Sequence, residues 1–200
     1  MNGRFFLSGW AGPETLFPGF PSGWTFRAPF CDGDEETLVA ALAQSGGTVL
    51  AGWSTGAHMI VKHAATLLPR FERVVLFAPF ARFGDSLPGR ITRAMAAGMA
   101  ADAEATVRSF WKNCGVPGEP VWNPDWASPL AVGLDYLLRS EATSGPVAAG
   151  NVTVFHGDAD RIVRRPAVRQ ALALLEGANF REFSGGHYPD PAVLGTALSR

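Results

Sequence analysis

Two hundred residues with 47% apolar side chains are enough for one sizeable buried core, while charged residues make up only 18% against about 25% in an average soluble chain. A net charge of −1 without any basic block excludes a nucleic-acid footprint, which needs clustered Lys and Arg to displace counterions. The longest apolar runs, such as Val74–Ala81, fall far short of the ~18 residues that cross a bilayer.

The two cysteines, Cys31 and Cys114, show no metal-ligand spacing and cannot build a disulfide framework. The opening MNGRFFLSGW breaks at Ser8 and Gly9 before a signal-peptide core develops. The expectation is a reduced, cytoplasmic chain that handles small molecules, with no nucleic-acid or membrane partner.

In chain order, Arg4–Phe6 reads as a short strand ending in the turn Ser8-Gly9-Trp10-Ala11-Gly12-Pro13, and Trp24–Phe30 as a second strand. Asp34–Gln44 repeats apolar residues at helical spacing, with Asp34, Glu35 and Glu36 at the end where the helix dipole favours acids. Thr48–Trp53 is a β-prone run, followed by a helix over Thr55–Leu68 that Pro69 stops. Arg73–Phe80 and Asn151–His156 are further apolar strands. Ala167–Leu175 reads as helix, Asn179–Phe183 as a last strand and Pro191–Leu198 as a closing helix.

Apolar strands alternating with helices indicate an α/β fold with a mostly parallel sheet covered on both faces. Residues 81–148 depart from the pattern. They hold no convincing strand, and Pro88–Ala101, Ala103–Lys112 and Leu130–Ser140 look helical around a Gly/Pro/Trp-rich loop. The expected organisation is a core of residues 1–80 and 149–200 with a small helical cap inserted over 81–148.

Gly52-Trp53-Ser54-Thr55-Gly56 fits G-x-S-x-G, and it joins a strand to a helix, the setting in which the motif presents a nucleophile. Small residues two before and two after the serine allow the backbone to turn sharply. The following helix aims its N-terminal N–H groups at a developing oxyanion. A serine hydroxyl needs a base, and the base a carboxylate to hold its tautomer. Both should follow in that architecture as Asp or Glu and then His, each beyond a late strand.

Of the four histidines, His58 and His63 fall on the helix after Ser54 and His156 ends a strand, where it would support the adjacent turn. His187 sits in a Gly-flanked loop after Asn179–Phe183 and is the candidate base. For the acid, Asp160 is favoured over Asp158, which suits a turn cap, and over Asp85, which follows the strand at 73–80.

Together these residues resemble the α/β-hydrolase superfamily over about residues 3–80 and 150–200. HGDADRIV is similar to the family's acid-bearing loop, in the register that selects Asp160. Leu7-Ser8-Gly9-Trp10 is similar to its H-G-x segment, with Ser8 in place of the usual His. The resemblance implies an oxyanion hole built from the backbone N–H groups of Trp10 and Thr55.

SGWAGP, AGWSTG and GGHYP also resemble the pimeloyl-acyl-carrier-protein methyl ester esterases of biotin synthesis. That narrower likeness implies Trp10 and Trp53 flanking the ester and basic cap residues engaging the carrier's phosphopantetheine arm. Arg90 with Arg93 and Arg108 with Lys112 share helix faces, as a carrier-binding patch or an ordinary solvated face would.

The expected chemistry is hydrolysis of a carboxylic ester through an acyl-Ser54 intermediate. Cap side chains Met95, Met99, Phe110, Trp111, Trp122, Trp126, Leu130, Tyr136 and Leu137 suit either an apolar acyl channel or, each taken singly, the buried face that a small cap must have, with Trp53, Phe110 and Trp111 as the substrate-contact candidates. No metal cluster or nucleotide motif appears, so no cofactor is expected. The alternatives are a general short-chain carboxylesterase, thioesterase or C–C hydrolase, and a non-catalytic ligand-binding protein on the same fold.

Overall fold

The computed structural model describes residues 3–199. Six strands form one sheet: β1 (Arg4–Leu7), β2 (Thr25–Arg27), β3 (Gly47–Trp53), β4 (Phe71–Phe77), β6 (Val152–Gly157) and β8 (Asn179–Phe183), in the order β2-β1-β3-β4-β6-β8. Every neighbouring pair is parallel. The continuous apolar runs of β3 and β4 suit strands covered on both faces, and Leu50, Ala51, Val74 and Leu76 are fully buried there. β8 closes one edge with the exposed Arg181 and Glu182, charges that discourage a further strand from pairing.

Helices α1 (Glu35–Ser45), α2 (Thr55–Lys62), α3 (Ala64–Leu67), α7 (Arg165–Ala173) and α8 (Pro191–Leu198) connect or follow these strands. Their ends obey local chemistry. The Asp34 carboxylate accepts the Thr37 N–H at 2.9 Å at the start of α1. Asp190 accepts from Ala192 and Val193 behind Pro191 at the start of α8.

Several sequence expectations shift in length. The helix expected over 55–68 breaks at His63, which takes a non-helical backbone and donates from Nε2 to Glu35 Oε1, 3.0 Å away. The expected strand 24–30 contracts to β2, because the Asp32 carboxylate takes the Ala28 N–H at 2.7 Å and Phe30 turns the chain at φ 70°. β4 stops at Phe77, where Ala78 turns out of the sheet at φ 48°.

Between β4 and β6 lie α4 (Gly89–Ala101), α5 (Ala103–Cys114) and α6 (Ala127–Arg139). Asp102 ends α4 and caps α5, accepting the Ala105 N–H at 2.9 Å, and Gly115 closes α5 in the left-handed conformation at φ 84°. This segment is not free of strand. Val147–Ala148 (β5) pairs in parallel with Leu175–Glu176 (β7) as a separate two-stranded sheet, and that pairing ends α7 earlier than its apolar periodicity suggests. A two-residue ladder carries too little pattern to be seen in sequence.

Candidate active site

Ser54 stands between β3 and α2 with φ 53° and ψ −111°, a backbone state that is costly for a residue with a Cβ and persists only when its surroundings enforce it. The two motif glycines make that turn possible. A Cβ on Gly52 would lie 2.9 Å from the Ala57 Cα, and one on Gly56 would drive into the Leu7 and Ser8 carbonyls. Gly56 N–H instead donates to Ser8 O at 3.0 Å, which ties the Ser54 turn to the segment after β1.

Ser54 Oγ lies 2.9 Å from His187 Nε2, and His187 Nδ1 lies 2.8 Å from Asp160 Oδ2. A carboxylate can only accept, so Nδ1 carries the proton and Nε2 is left with a lone pair facing the serine hydroxyl. The other carboxylate oxygen, Asp160 Oδ1, accepts the N–H groups of Ile162 at 2.8 Å and Val163 at 2.9 Å. Those two bonds fix the orientation of the acid. Both side chains of the Asp160–His187 pair are removed from solvent, where a charge developing on the imidazole is weakly screened from the carboxylate.

Asp158 does not reach the histidine. Its Oδ1 accepts the Gly185 N–H at 3.0 Å, tying the Asp160 loop to the His187 loop. Asp85 pairs with Arg82 at 2.7 Å. His156 Nε2 donates to Val163 O at 2.8 Å and lies 3.7 Å from Asp160 Oδ2, so it braces the residue whose N–H holds the acid.

The tryptophans do unexpected work. Trp53 is buried, and its indole N–H donates to His187 O at 2.8 Å, which packs it against the loop that carries His187. Trp10 N–H donates to Thr55 Oγ1 at 3.1 Å, so the group that the family resemblance assigns to an oxyanion is already engaged. The Trp10 indole donates to Leu130 O at 2.7 Å, and the Trp111 indole to Ala11 O at 2.6 Å. Tyr188 N–H donates to Cys114 O at 2.9 Å. These three bonds fasten α5 and α6 over the loops that carry the site, and Ser54 keeps only 4% exposure and His187 2%. The Ser8 hydroxyl is buried and makes no hydrogen bond to the described residues.

Phe110 packs edge-on against Trp10 with 4.8 Å between centroids. It also lines a largely apolar cavity of about 600 Å³ with Ile91, Met95 and Ile162, rimmed by Arg161 and Arg164. A second cavity of about 370 Å³ is bounded by Gly9, Ala11, Arg27, Cys31 and Leu130. Ser54 and His187 line neither. Arg90, Arg93 and Lys112 are exposed, while Arg108 is held by Glu104 at 2.7 Å and donates to Pro120 O. The four do not act as one free cationic group. Among the described residues no cluster of three or more His, Cys, Asp or Glu is gathered to hold a metal, and no helix is long and apolar enough to cross a membrane.

No family model matches the chain, and no curated protein matches it in sequence. Its fold is shared with solved structures. The esterase from Exiguobacterium antarcticum aligns with a TM-score of 0.71 at 13% identity over 99% of this chain and 91% of that one. The enol-lactonase from Burkholderia xenovorans LB400 aligns at 0.68 and 13%, over 100% and 91%. An α/β hydrolase from a Medee basin deep-sea metagenome library aligns at 0.67 and 10%, over 100% and 90%. The chain has the α/β-hydrolase fold.

Proposed function

We propose that this chain is a serine hydrolase that cleaves a carboxylic ester through an acyl-Ser54 intermediate. The observation that carries the reading is the continuous relay from Ser54 Oγ to His187 Nε2 and from His187 Nδ1 to Asp160 Oδ2, at 2.9 and 2.8 Å. Ser54 Oγ attacks the ester carbonyl while its proton passes to His187 Nε2. The resulting imidazolium is stabilised by the Asp160 carboxylate. Collapse of the tetrahedral intermediate breaks the carbonyl–oxygen bond, and the leaving alcohol takes the proton from Nε2. Water then gives its proton to Nε2 and attacks the acyl carbon. When that second intermediate collapses, the carboxylic acid departs and the proton returns to Ser54 Oγ.

The apolar cavity beside Phe110 and Ile162 supports an apolar acyl group as the part of the substrate held there. The names of the enol-lactonase and esterase neighbours are in keeping with acyl transfer, although a likeness at 13% identity carries no substrate.

Ser54→Ala should remove ester hydrolysis by several orders of magnitude and abolish labelling by a fluorophosphonate probe. A folded Ser54→Ala protein that kept full esterase activity would end the proposal. A finer reading, drawn from the resemblance of the three motifs, is a carrier-bound pimeloyl methyl ester. Exposed Arg90, Arg93 and Lys112 support it, and Arg108 adds little while it is paired with Glu104. It requires faster hydrolysis of the carrier-bound ester than of the free one, with salt slowing only the former. Equal rates on both would leave a general short-chain esterase.

A further inference from the structure

We infer that the Thr55 hydroxyl is itself an oxyanion donor, backed by the Trp10 N–H. The inference rests on the acyl-Ser54 reading and names a further catalytic group within it.

The backbone after β1 passes directly over the nucleophile, since a Cβ on Gly9 would lie 3.2 Å from Ser54 Cβ. The next residue, Trp10, aims its N–H at Thr55 Oγ1 across 3.1 Å. A donor useful to an oxyanion must lie about 2.7–3.1 Å from the oxygen it stabilises, and Thr55 Oγ1 holds that position with respect to Trp10. The backbone donor therefore reaches a developing charge only through the threonine.

The hydroxyl is free to pass the interaction on. A hydroxyl carries one proton and two lone pairs. Oγ1 has accepted the Trp10 N–H, and its own proton has no acceptor among the described residues. Thr55 is buried, and a buried hydroxyl proton without an acceptor costs free energy. A carbonyl oxygen that becomes an oxyanion above Ser54 supplies the missing acceptor. Accepting the Trp10 N–H polarises the hydroxyl and strengthens the bond it donates.

The Thr55 backbone N–H is a second free donor of the same residue. As the first residue of α2 it has no intrahelical acceptor, so one residue presents two donors. The arrangement explains a β-branched polar residue at a position where the turn itself asks only for a backbone N–H.

Three substitutions test it. Thr55→Val keeps the shape, puts a methyl over the Trp10 N–H and removes the hydroxyl, so kcat should fall about 100- to 1,000-fold with KM changed little. Thr55→Ala uncovers the Trp10 N–H, which then donates directly, and should fall less, about 10-fold. Thr55→Ser keeps the hydroxyl and should rank above both. Affinity for an aryl boronate, which places an oxygen in the oxyanion position, should fall in the same order.

A Thr55→Val protein within threefold of wild type in kcat overturns the inference. So does an Ala variant faster than wild type, which would make the threonine a plug over a backbone hole. If Thr55→Val does not fold, the Ala and Ser proteins and their boronate affinities decide by the same ranking. Activity surviving in Ser54→Ala would instead sink the underlying reading, whatever the Thr55 series showed.

Discussion

The molecule buries two serine–histidine pairs, and they differ in one partner. At the proposed active site, Ser54 Oγ meets His187 Nε2 at 2.9 Å and His187 Nδ1 meets the Asp160 carboxylate. One helix away, Ser140 Oγ meets His58 Nε2 at 2.8 Å, and His58 Nδ1–H donates to the Phe80 carbonyl at 2.9 Å. Both histidines are removed from solvent, and both use both ring nitrogens.

A carboxylate behind Nδ1 can stabilise an imidazolium when Nε2 takes a proton, and a neutral carbonyl does so far less. Burial pushes the His58 imidazole down to about 4, with the Lys62 charge adding to the effect. Lys62 Nζ also donates to Ser140 Oγ at 3.1 Å and is paired with Glu35, so the second pair belongs to a network that joins α1, α2 and the end of α6. A Ser–His contact is thus not a reactive site without its third member.

Among the substitutions that test this contrast, Asp160→Asn should have the largest effect, because it converts the first pair toward the second. The N–H groups of Ile162 and Val163 hold an oxygen at the Oδ1 position, so the new carboxamide must turn its NH2 toward His187 Nδ1. That nitrogen becomes the acceptor and the proton moves to Nε2, which can no longer take one from Ser54. Esterase kcat should drop by about 10⁴, the size seen when the triad acid is amidated in serine proteases. A loss under tenfold in steady-state assays would show that the carboxylate does not distinguish the two pairs.

The second pair should appear in stability against pH. The unfolded His58 titrates near 6.5 and the folded one at about 4, so between those values the unfolded chain binds more protons and stability rises with pH. The contribution is complete above pH 6.5 and is lost as pH falls toward 4. It amounts to something on the order of 3 kcal/mol. His58→Leu should lower the melting temperature at pH 7, since it orphans the Phe80 carbonyl and the Ser140 hydroxyl. It should also flatten the decline from pH 6.5 to 4.5 relative to wild type. Equal declines in the two proteins would mean that His58 is already free to charge in the folded state.

The two pairs were not equally legible in the sequence. Ser54, Asp160 and His187 each sit at the end of a strand, in an order that follows from how a parallel sheet presents loops along one edge. Of the four histidines in the chain, His156 also ends a strand but precedes the acid candidates, and only His187 follows them in a late loop. The resemblance of HGDADRIV to the family's acid-bearing loop favours Asp160 over Asp158, and the structure puts the first on the histidine and the second on Gly185 N–H.

His58 and Ser140 are separated by 82 positions and meet only because α6 packs beside α2, which no local pattern encodes. The same holds for the indoles. Trp10, Trp53 and Trp111 each give their indole N–H to a backbone carbonyl from a distant segment, a structural role that the sequence does not show. The break at His63 and the early end of β4 also depend on tertiary partners or on a single positive φ, which apolar periodicity does not register.

The smallest expected effect comes from Ser140→Ala, the mirror of Ser54→Ala. The substitution removes the donor to His58 Nε2 and one acceptor of Lys62. Lys62 keeps Glu35 at 2.9 Å, so only the imidazole nitrogen is left without a partner, and the cost should be about 1–2 kcal/mol in a chemical-denaturation midpoint. Fluorophosphonate labelling and ester turnover should be untouched, because nothing behind His58 prepares Ser140 to attack. If labelling fell with Ser140→Ala while Ser54 was intact, the two clusters would be coupled through α2. The contrast between them would then be one of degree, with the Lys62–Ser140–His58 chain acting as a distant support for the nucleophile turn.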